Sequence, residues 1–354
     1  MNRLLGQPLP WHSDGWAQVL QQIRSHKLPH ALLVCANSDT GKRHFATLLG
    51  QFLLCARPAE AAPCGECSQC LLNAAGNHPD LVVVEAEAGS RVIKVDQVRE
   101  LRSFVESTSH AAGYRIVILD PAESLNLNGA NALLKSLEEP PGQVLFLLLS
   151  DRPKAVLPTI ASRSQVLRLP PPTRAQSLAW LANHIRSDFE SLEKLLALAQ
   201  ERPLLALSLH QEGLLEQLQD TDAAMLDLLT GQRLPSVLAS TYARQGGNEI
   251  LSLLSLLVLW SASLSRFLMS GHPRFLASEP QREAAKVLAR AGEARQQTQR
   301  LFSLYTDISN TQQQLSHGSN PNLQLLLEDI FIRIQRLTKG GDDGADNRAQ
   351  RRAG

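Results

Sequence analysis

Residues 31–54 read ALLVCANSDTGKRHFATLLGQFLL, and this stretch decides the fold of the first half of the chain. Its first five residues form a continuous apolar run, which is typical of a strand covered on both faces. Residues 36–43 are a polar loop, and residues 45–54 have the apolar spacing of a helix. A strand, a loop that ends in Gly41-Lys42 and a helix follow one another in the order of a nucleotide-binding phosphate loop.

The loop nevertheless lacks two residues that a working phosphate loop needs. The working pattern is Gly, four residues, then Gly-Lys-Ser/Thr, in which the lysine meets the β and γ phosphates and the hydroxyl binds Mg²⁺. Gly41 and Lys42 are kept, but Ala36 replaces the first glycine and Arg43 replaces the magnesium ligand.

The acidic half of such a site is also incomplete. A working site ends a buried strand in Asp-Glu, whereas this chain has Asp120-Pro121, and a proline side chain is neither acid, base nor ligand. A live ATP site, a weak phosphate site that uses Lys42 and a relic that only packs are the three interpretations. The relic is favoured, because metal coordination and water activation each lack a residue. We therefore expect no nucleotide on this chain.

Outward from the loop, strand and helix patterns alternate. Further apolar runs lie at 81–85, 115–120 and 144–150, and a helical pattern at 95–106 lies between two of them. This alternation predicts an α/β domain with a parallel sheet.

Three prolines at 170–172 end the α/β pattern, because no helix crosses them comfortably. We predict an α/β domain over 1–170, a small all-helical domain over 171–212 and a larger all-helical domain over 213–337. Residues 338–354 contain no apolar residue larger than alanine, and they predict a disordered tail.

Composition excludes some classes of protein. With 35 basic and 34 acidic residues the formal net charge is +1, which excludes a strongly basic surface overall but not a local patch. The most apolar stretch, 250–264, is interrupted by serines and is shorter than the roughly 20 residues that span a bilayer, so we expect a buried helix. The first 14 residues lack the apolar core of a secretory signal. A cytoplasmic protein with no membrane contact is expected.

Four cysteines, Cys55, Cys64, Cys67 and Cys70, have the spacing C-x8-C-x2-C-x2-C. Thiolates bind Zn²⁺ tetrahedrally, and a two-residue gap lets neighbouring cysteines reach one ion, so the spacing predicts a structural zinc site. An iron–sulfur cluster and four unconnected thiols are the alternatives, but the x3-C-P continuation of ferredoxins is absent. Cys35 lies in the first predicted strand and is expected to be a buried small residue.

Arg163 lies in the segment TIASRSQ, residues 159–165, after the last of these apolar runs. A guanidinium is permanently charged, and its planar fork meets phosphate oxygens in pairs, which suits phosphoryl transfer. On the residues alone, a solvated or salt-bridged arginine remains the more ordinary interpretation.

Several of these segments resemble clamp-loader ATPases of the AAA+ class. They are LPHA at 28–31, the four cysteines, VDQVR at 95–99, NALLKSLEEPP at 131–141 and the 159–165 segment, which is similar to the Ser-Arg-Cys box of that family. The resemblance covers residues 3–170 through specific motifs and extends to 337 through the helical layout.

The resemblance implies an AAA+ nucleotidase-like domain with a zinc module at 55–70, then a helical lid and a helical collar that assembles a five-membered ring. The incomplete loop selects the delta-prime type of subunit over the ATP-hydrolysing gamma/tau type, which is the alternative. In the family the box arginine acts in trans on a neighbour, which implies Arg163 here, although Ser164 stands where cysteine is usual.

The implied partners are ATP-binding gamma/tau-type subunits and the delta subunit, and, through the complex, the sliding clamp and primed DNA. ATP is then bound by the partners, and zinc is the cofactor of this chain. We expect no ATPase or polymerase activity of the isolated chain, since polymerase activity belongs to the DNA polymerase III holoenzyme. A zinc-dependent DNA-binding module is a third hypothesis, weakened by the near-neutral charge and by the absence of a basic helix beside the cysteines.

Overall fold

The computed structural model describes residues 6–87, 92–107, 109, 113–140, 142–244, 247–316 and 321–338. The chain divides into two compact units, Met1–Trp180 and Leu181–Gly354. The finer division at 170, 212 and 337 stays a prediction. Residues 339–354 of the predicted tail lie outside the described residues.

The first unit is built on a parallel sheet of five strands. They are β1 (Ala31–Cys35), β2 (Leu81–Val84), β3 (Tyr114–Leu119), β4 (Gln143–Ser150) and β5 (Gln165–Arg168). Their order across the sheet is β2-β3-β4-β1-β5. The four predicted strands and the parallel pairing are confirmed. The edge strand β5 was not predicted, because only one of its four residues, Leu167, is buried and so small a pattern has no clear period.

Helices cover both faces of this sheet. The helices of the first unit are α1 (Ser13–Arg24), α2 (Lys42–Leu54), α3 (Ser68–Ala74), α4 (Val95–Glu106), α5 (Leu127–Glu138) and α6 (Pro158–Ala161), and α7 (Arg174–His184) contains the division between the units. Leu32 and Val34 of β1 pack in the cluster that includes α1 and α2. Leu33 and Cys35 pack in the cluster that includes α4 and α5. Burial on both faces explains why β1 is apolar at every position.

The described part of the second unit contains helices and no strand. They are α8 (Phe189–Leu198), α9 (Pro203–Gln211), α10 (Leu214–Thr230), α11 (Pro235–Ala243), α12 (Gly247–Ser270), α13 (Glu279–Ala291), α14 (Ala294–Ser316) and α15 (Leu323–Arg336). One face of α15 is apolar, and Leu327, Ile330 and Ile334 on this face are buried.

By length and composition, residues 249–270 of α12 are apolar enough to cross a membrane. Leu254, Leu257 and Trp260 of this helix are nevertheless completely buried in the core of the second unit, together with residues of α10 and α15. A core helix accounts for this composition, as predicted for 250–264, and one such helix is weak evidence for a membrane span.

Candidate functional site

The loop between β1 and α2 is held by hydrogen bonds to its own backbone. Gly41 has φ 101°, a left-handed conformation that favours glycine, and it is the residue before α2. Thr40 Oγ1 donates to the carbonyl oxygen of Asn37 at 2.7 Å, and Trp11 Nε1 donates to the carbonyl oxygen of Thr40, also at 2.7 Å. The loop therefore keeps the shape of a turn into a helix N-terminus.

Lys42, the first residue of α2, is paired with Asp151, which directly follows β4. The lysine side chain is only 11% exposed. In a working phosphate loop this lysine meets the β and γ phosphates. Here a carboxylate of the same chain supplies that negative charge.

Arg43, the next residue, is paired with two carboxylates. Its Nε donates to Oδ2 of Asp120 at 2.8 Å, and its Nη2 contacts Glu85. Burial disfavours the charged guanidinium, but the hydrogen bonds and the charges of Asp120 and Glu85 outweigh burial and raise the pKa of Arg43 above its usual value. A permanent positive charge thus replaces the hydroxyl that would bind Mg²⁺.

Together these pairs neutralise the carboxyl-terminal edge of the sheet. Glu85, Asp120 and Asp151 each follow the last residue of one of three neighbouring strands, β2, β3 and β4. The two cations come from the first turn of α2, whose dipole is already positive there, so the carboxylates offset both the side chains and the helix end. We name these three carboxylates and the two cations Lys42 and Arg43, five residues in all, the closed edge.

Glu123, the next carboxylate along the chain, does not take the second acidic position of the site. Pro121 follows Asp120, and the side chain of Glu123 is buried, with Oε1 accepting a hydrogen bond from the backbone N–H of Arg152 at 3.2 Å. Glu123 is therefore engaged in holding the segment after β4.

The four cysteines of the segment between α2 and β2 lie close together, as predicted. One sulfur from each of Cys55, Cys64, Cys67 and Cys70 lies within 4.8 Å of the others. Cys67 is the N-cap of α3, and the hydrogen bond from the backbone N–H of Cys70 lowers the pKa of its thiol to about 6. Four sulfur donors, one with a favoured thiolate, fit a tetrahedral metal ion. Cys35 is buried at the end of β1, outside this cluster.

Arg163 lies beyond α6, and within the described residues the partners of its side chain belong to neither the loop nor the closed edge. Its Nε and Nη2 contact Oε1 of Glu138 at 2.7 and 2.5 Å, and its Nη1 donates to the carbonyl oxygen of Thr159 at 3.1 Å. The arginine side chain is 34% exposed, and that of Glu138 is 50% exposed. The isolated chain thus holds Arg163 in an ion pair at the surface.

Sequence reasoning missed three of these carboxylates as partners, namely Glu85, Asp151 and Glu138. The first two follow predicted strands, and carboxyl ends of parallel strands meet at one edge, so a signal for them was present. Glu138 had no such signal, because its pairing depends on how α5 packs beside α6.

Comparison with known proteins gives consistent relatives. A family model described as DNA polymerase III, delta subunit, matches residues 11–173. The chain is 36% identical to the DNA polymerase III subunit delta' of Pseudomonas aeruginosa over 94% of this chain and 98% of that protein. It is 26% identical to the subunit delta' of Escherichia coli over 94% and 96%.

A different subunit type is similar over a shorter region. The DNA polymerase III subunit gamma/tau of Mycobacterium tuberculosis is 37% identical over 43% of this chain and 26% of that protein. Similarity to the first type extends through both units, whereas similarity to the second is confined to less than half of the chain.

Proposed function

The chain belongs to the family of DNA polymerase III delta' subunits, and we propose that it is a ring subunit that hydrolyses no ATP and supplies Arg163 to a neighbour's ATP site. The neighbours are ATP-binding subunits of the gamma/tau type, and the delta subunit completes a five-membered ring. In the cytoplasm this clamp loader places the sliding clamp on primed DNA, while polymerase activity belongs to the holoenzyme.

The closed edge is the observation that carries the proposal. Phosphate binding at this loop requires Lys42 to exchange Asp151 for phosphate, at a site where the lysine is nearly buried. Magnesium binding requires Asp120 to release Arg43, whose own positive charge repels the ion. Both steps oppose nucleotide binding, and Pro121 leaves no carboxylate at the position that activates water.

Arg163 has the chemistry that the neighbour's site needs. Phosphoryl transfer spreads negative charge over the oxygens of the γ-phosphate, and a guanidinium stabilises that charge through paired N–H donors. The side chain of Arg163 reaches solvent beyond the end of α6, and its partner is the exposed carboxylate of Glu138.

A gamma/tau-type ATPase is the second candidate, favoured by Gly41, Lys42 and the partial similarity to the Mycobacterium tuberculosis protein. It needs a free lysine and a magnesium ligand, and the closed edge opposes both. An ATPase assay on the isolated chain separates the two candidates.

For the cysteine cluster we propose a structural Zn²⁺. Four protein thiolates fill a tetrahedral shell, so no position is left for a substrate, and the ion holds the segment 55–70 around α3. Metal analysis is expected to find about one zinc per chain and a colourless protein. A brown protein that contains iron would contradict this assignment.

Arg163→Ala in the reconstituted loader tests the proposed function. The variant is expected to fold, keep its metal and assemble, while clamp loading and the DNA-dependent ATPase of the loader fall. Arg152→Ala and Arg168→Ala are matched controls, since both side chains are exposed arginines of the same unit. Loss of loading with either control but not with Arg163→Ala would mean that another arginine acts. Wild-type loading in all three variants would rule out action in trans.

A further inference from the structure

Glu138 fixes the guanidinium of Arg163 from a rigid part of the first unit. The carboxylate belongs to the last residue of α5, and Leu133 and Leu137 of the same helix are buried in the core. Arg163, in contrast, follows α6, a helix of only four residues. The position of the guanidinium therefore depends on the longer, better-packed helix.

The position of Glu138 is unfavourable without a cation. A carboxylate at the C-terminal end of a helix lies beside the negative end of the helix dipole. Arg163 offsets this charge, and its Nη1 also donates to the carbonyl oxygen of Thr159 in α6, at 3.1 Å. One guanidinium thus joins the ends of two helices, which explains why it is held in one orientation.

The guanidinium of Arg163 has two sides that can each meet a pair of oxygens, and the contacts of these two sides differ. Glu138 Oε1 occupies the fork formed by Nε and Nη2, at 2.7 and 2.5 Å. The side formed by Nη1 and Nη2 meets no carboxylate within the described residues. Nη1 donates to the carbonyl oxygen of Thr159 at 3.1 Å and lies 3.4 Å from Ser162 Oγ, while Nη2, which also contacts Glu138, keeps its second N–H. A carboxylate on the first fork therefore leaves the second fork oriented for two oxygens of a phosphate.

We propose that Glu138 is a positioning residue for Arg163, which presents the Nη1–Nη2 fork to the γ-phosphate bound by the neighbouring subunit. The inference rests on the proposed function, because it assigns to Glu138 a role in the action of Arg163 in trans. Glu138 itself touches no substrate. Its effect is on the orientation of the guanidinium before and during the reaction.

The test is Glu138→Gln in the reconstituted loader, with DNA-stimulated ATP hydrolysis as the readout. Glutamine keeps the shape of the side chain and removes the charge. Turnover at the neighbour's site is expected to fall by about 10-fold, because a misplaced catalytic group can cost up to about 10²-fold. The kcat of the whole loader is expected to fall by less, since its other ATP sites keep working. The KM for ATP and the mass of the assembly are expected to be unchanged, since ATP is bound by the neighbour.

Glu139→Gln is the matched control. Glu139 is exposed, carries the same charge one residue further along, and its side chain makes no hydrogen bond or ion pair within the described residues. Its substitution removes the same charge from the same helix end, and kcat is expected to stay at the wild-type value. An equal loss in the two variants would overturn the proposal, because the effect would then come from net charge.

A double variant separates this inference from the function on which it rests. In an Arg163→Ala background, Glu138→Gln is expected to cause no further loss, and a further 10-fold loss would overturn the positioning role. If Arg163→Ala lowers kcat but Glu138→Gln leaves it unchanged or raises it, the positioning role fails and the proposed function stands. If Arg163→Ala itself has no effect, the proposed function fails, and this inference fails with it.

Discussion

The first unit holds its functional cations in two different ways. In the closed edge, Lys42 and Arg43 meet carboxylates that come from the ends of three strands, and Lys42 and Asp120 are nearly buried. Arg163 meets a single carboxylate, that of Glu138, and the side chains of both residues reach solvent. Ion pairs between a cation and a carboxylate are thus nearly buried in one region and exposed in the other.

This difference indicates which cation is available to a phosphate. Breaking a pair with a nearly buried member leaves an uncompensated charge, which costs several kcal/mol when burial is complete. An exposed pair contributes only about 0–1 kcal/mol, so an arginine held in such a pair meets a phosphate at little cost while its carboxylate stays in place. The ion pairs therefore support the proposal that the chain's own site is closed and that Arg163 acts on another subunit.

The largest expected effect is on ATP hydrolysis by the loader when the cation at position 163 or 42 is changed. Arg163→Lys is expected to lower turnover at the neighbour's site by about 10²-fold or more, because a flexible ammonium does not reproduce the paired N–H groups, and arginine fingers contribute about 10³–10⁵ in turnover. Lys42→Ala is expected to leave the loader's ATPase at the wild-type rate. The readout is steady-state hydrolysis by the reconstituted loader with primed DNA.

Two results would break the comparison. Full activity of Arg163→Lys would show that only the charge matters there, and a loss with Lys42→Ala would show that the closed edge takes part in turnover. Because the other ATP sites of the ring keep working, the loss measured for the whole loader is expected to be smaller than the loss at one site.

A buried carboxylate of the second unit shows what happens when the partners are neutral. Asp222 accepts hydrogen bonds from Ser278 Oγ at 2.6 Å and Gln281 Nε2 at 3.1 Å, and burial raises its pKa to about 6. Because the folded pKa lies above the unfolded value of 3.8, the stabilising contribution is complete below about pH 4 and is lost as the pH rises through 6.

Asp222→Asn is therefore expected to be more stable than the wild type at pH 8, relative to the same comparison at pH 4, by about 2–3 kcal/mol. The measurement is urea denaturation of both proteins at the two pH values. A pH-independent difference between them would show that the pKa of Asp222 is the same in the folded and the unfolded protein, and that its neutral partners offset the cost of burying its charge.

The third prediction compares the two arginines as contributors to stability. Arg43→Ala is expected to lower the free energy of unfolding by about 1–2 kcal/mol, because Asp120 and Glu85 lose their shared cation, while partial exposure of Arg43 moderates the cost. Arg163→Ala is expected to lower it by less than about 1 kcal/mol. Urea denaturation of the full chain measures both. Equal losses of stability in the two variants would show that the ion pairs of Arg43 and the exposed pair of Arg163 contribute equally to stability.

The sequence predicted those features that depend on local pattern. The strands β1 to β4 followed from continuous apolar runs, and the cysteine cluster followed from the spacing of four residues within sixteen. The helix at 95–106 followed in the same way from its helical pattern, and α4 occupies those residues. In each case the deciding residues are neighbours along the chain or repeat with one period.

The features that were missed depend on contacts between distant segments. Lys42 and Asp151 are 109 residues apart, and Arg163, beyond α6, is 25 residues from Glu138 at the end of α5. The order of strands across the sheet decides the first pairing, and the packing of α6 beside α5 decides the second. Ala36, Arg43 and Pro121 were readable in the sequence as departures from a motif, but the ion pairs that Lys42 and Arg43 make instead were not.

The smallest expected effect is the partial opening of the closed edge. Asp151→Asn leaves Lys42 nearly buried without its carboxylate, beside the positive end of α2, which is a setting that binds anions. The variant is expected to be less stable than the wild type in chloride buffer, and inorganic phosphate is expected to restore part of the loss. With phosphate at about its dissociation constant, the restored stability is roughly 0.4 kcal/mol.

The measurement is the melting temperature of Asp151→Asn, the wild type and the double variant Asp151→Asn/Lys42→Ala in phosphate, with sulfate at matched ionic strength as a second anion. Only Asp151→Asn is expected to gain from either anion, because the wild-type lysine is occupied and the double variant has no lysine. An equal gain in all three proteins would mean a general salt effect. A gain in the wild type alone would mean that Asp151 does not block the loop, and the closed edge would then not support the proposal that the chain binds no nucleotide.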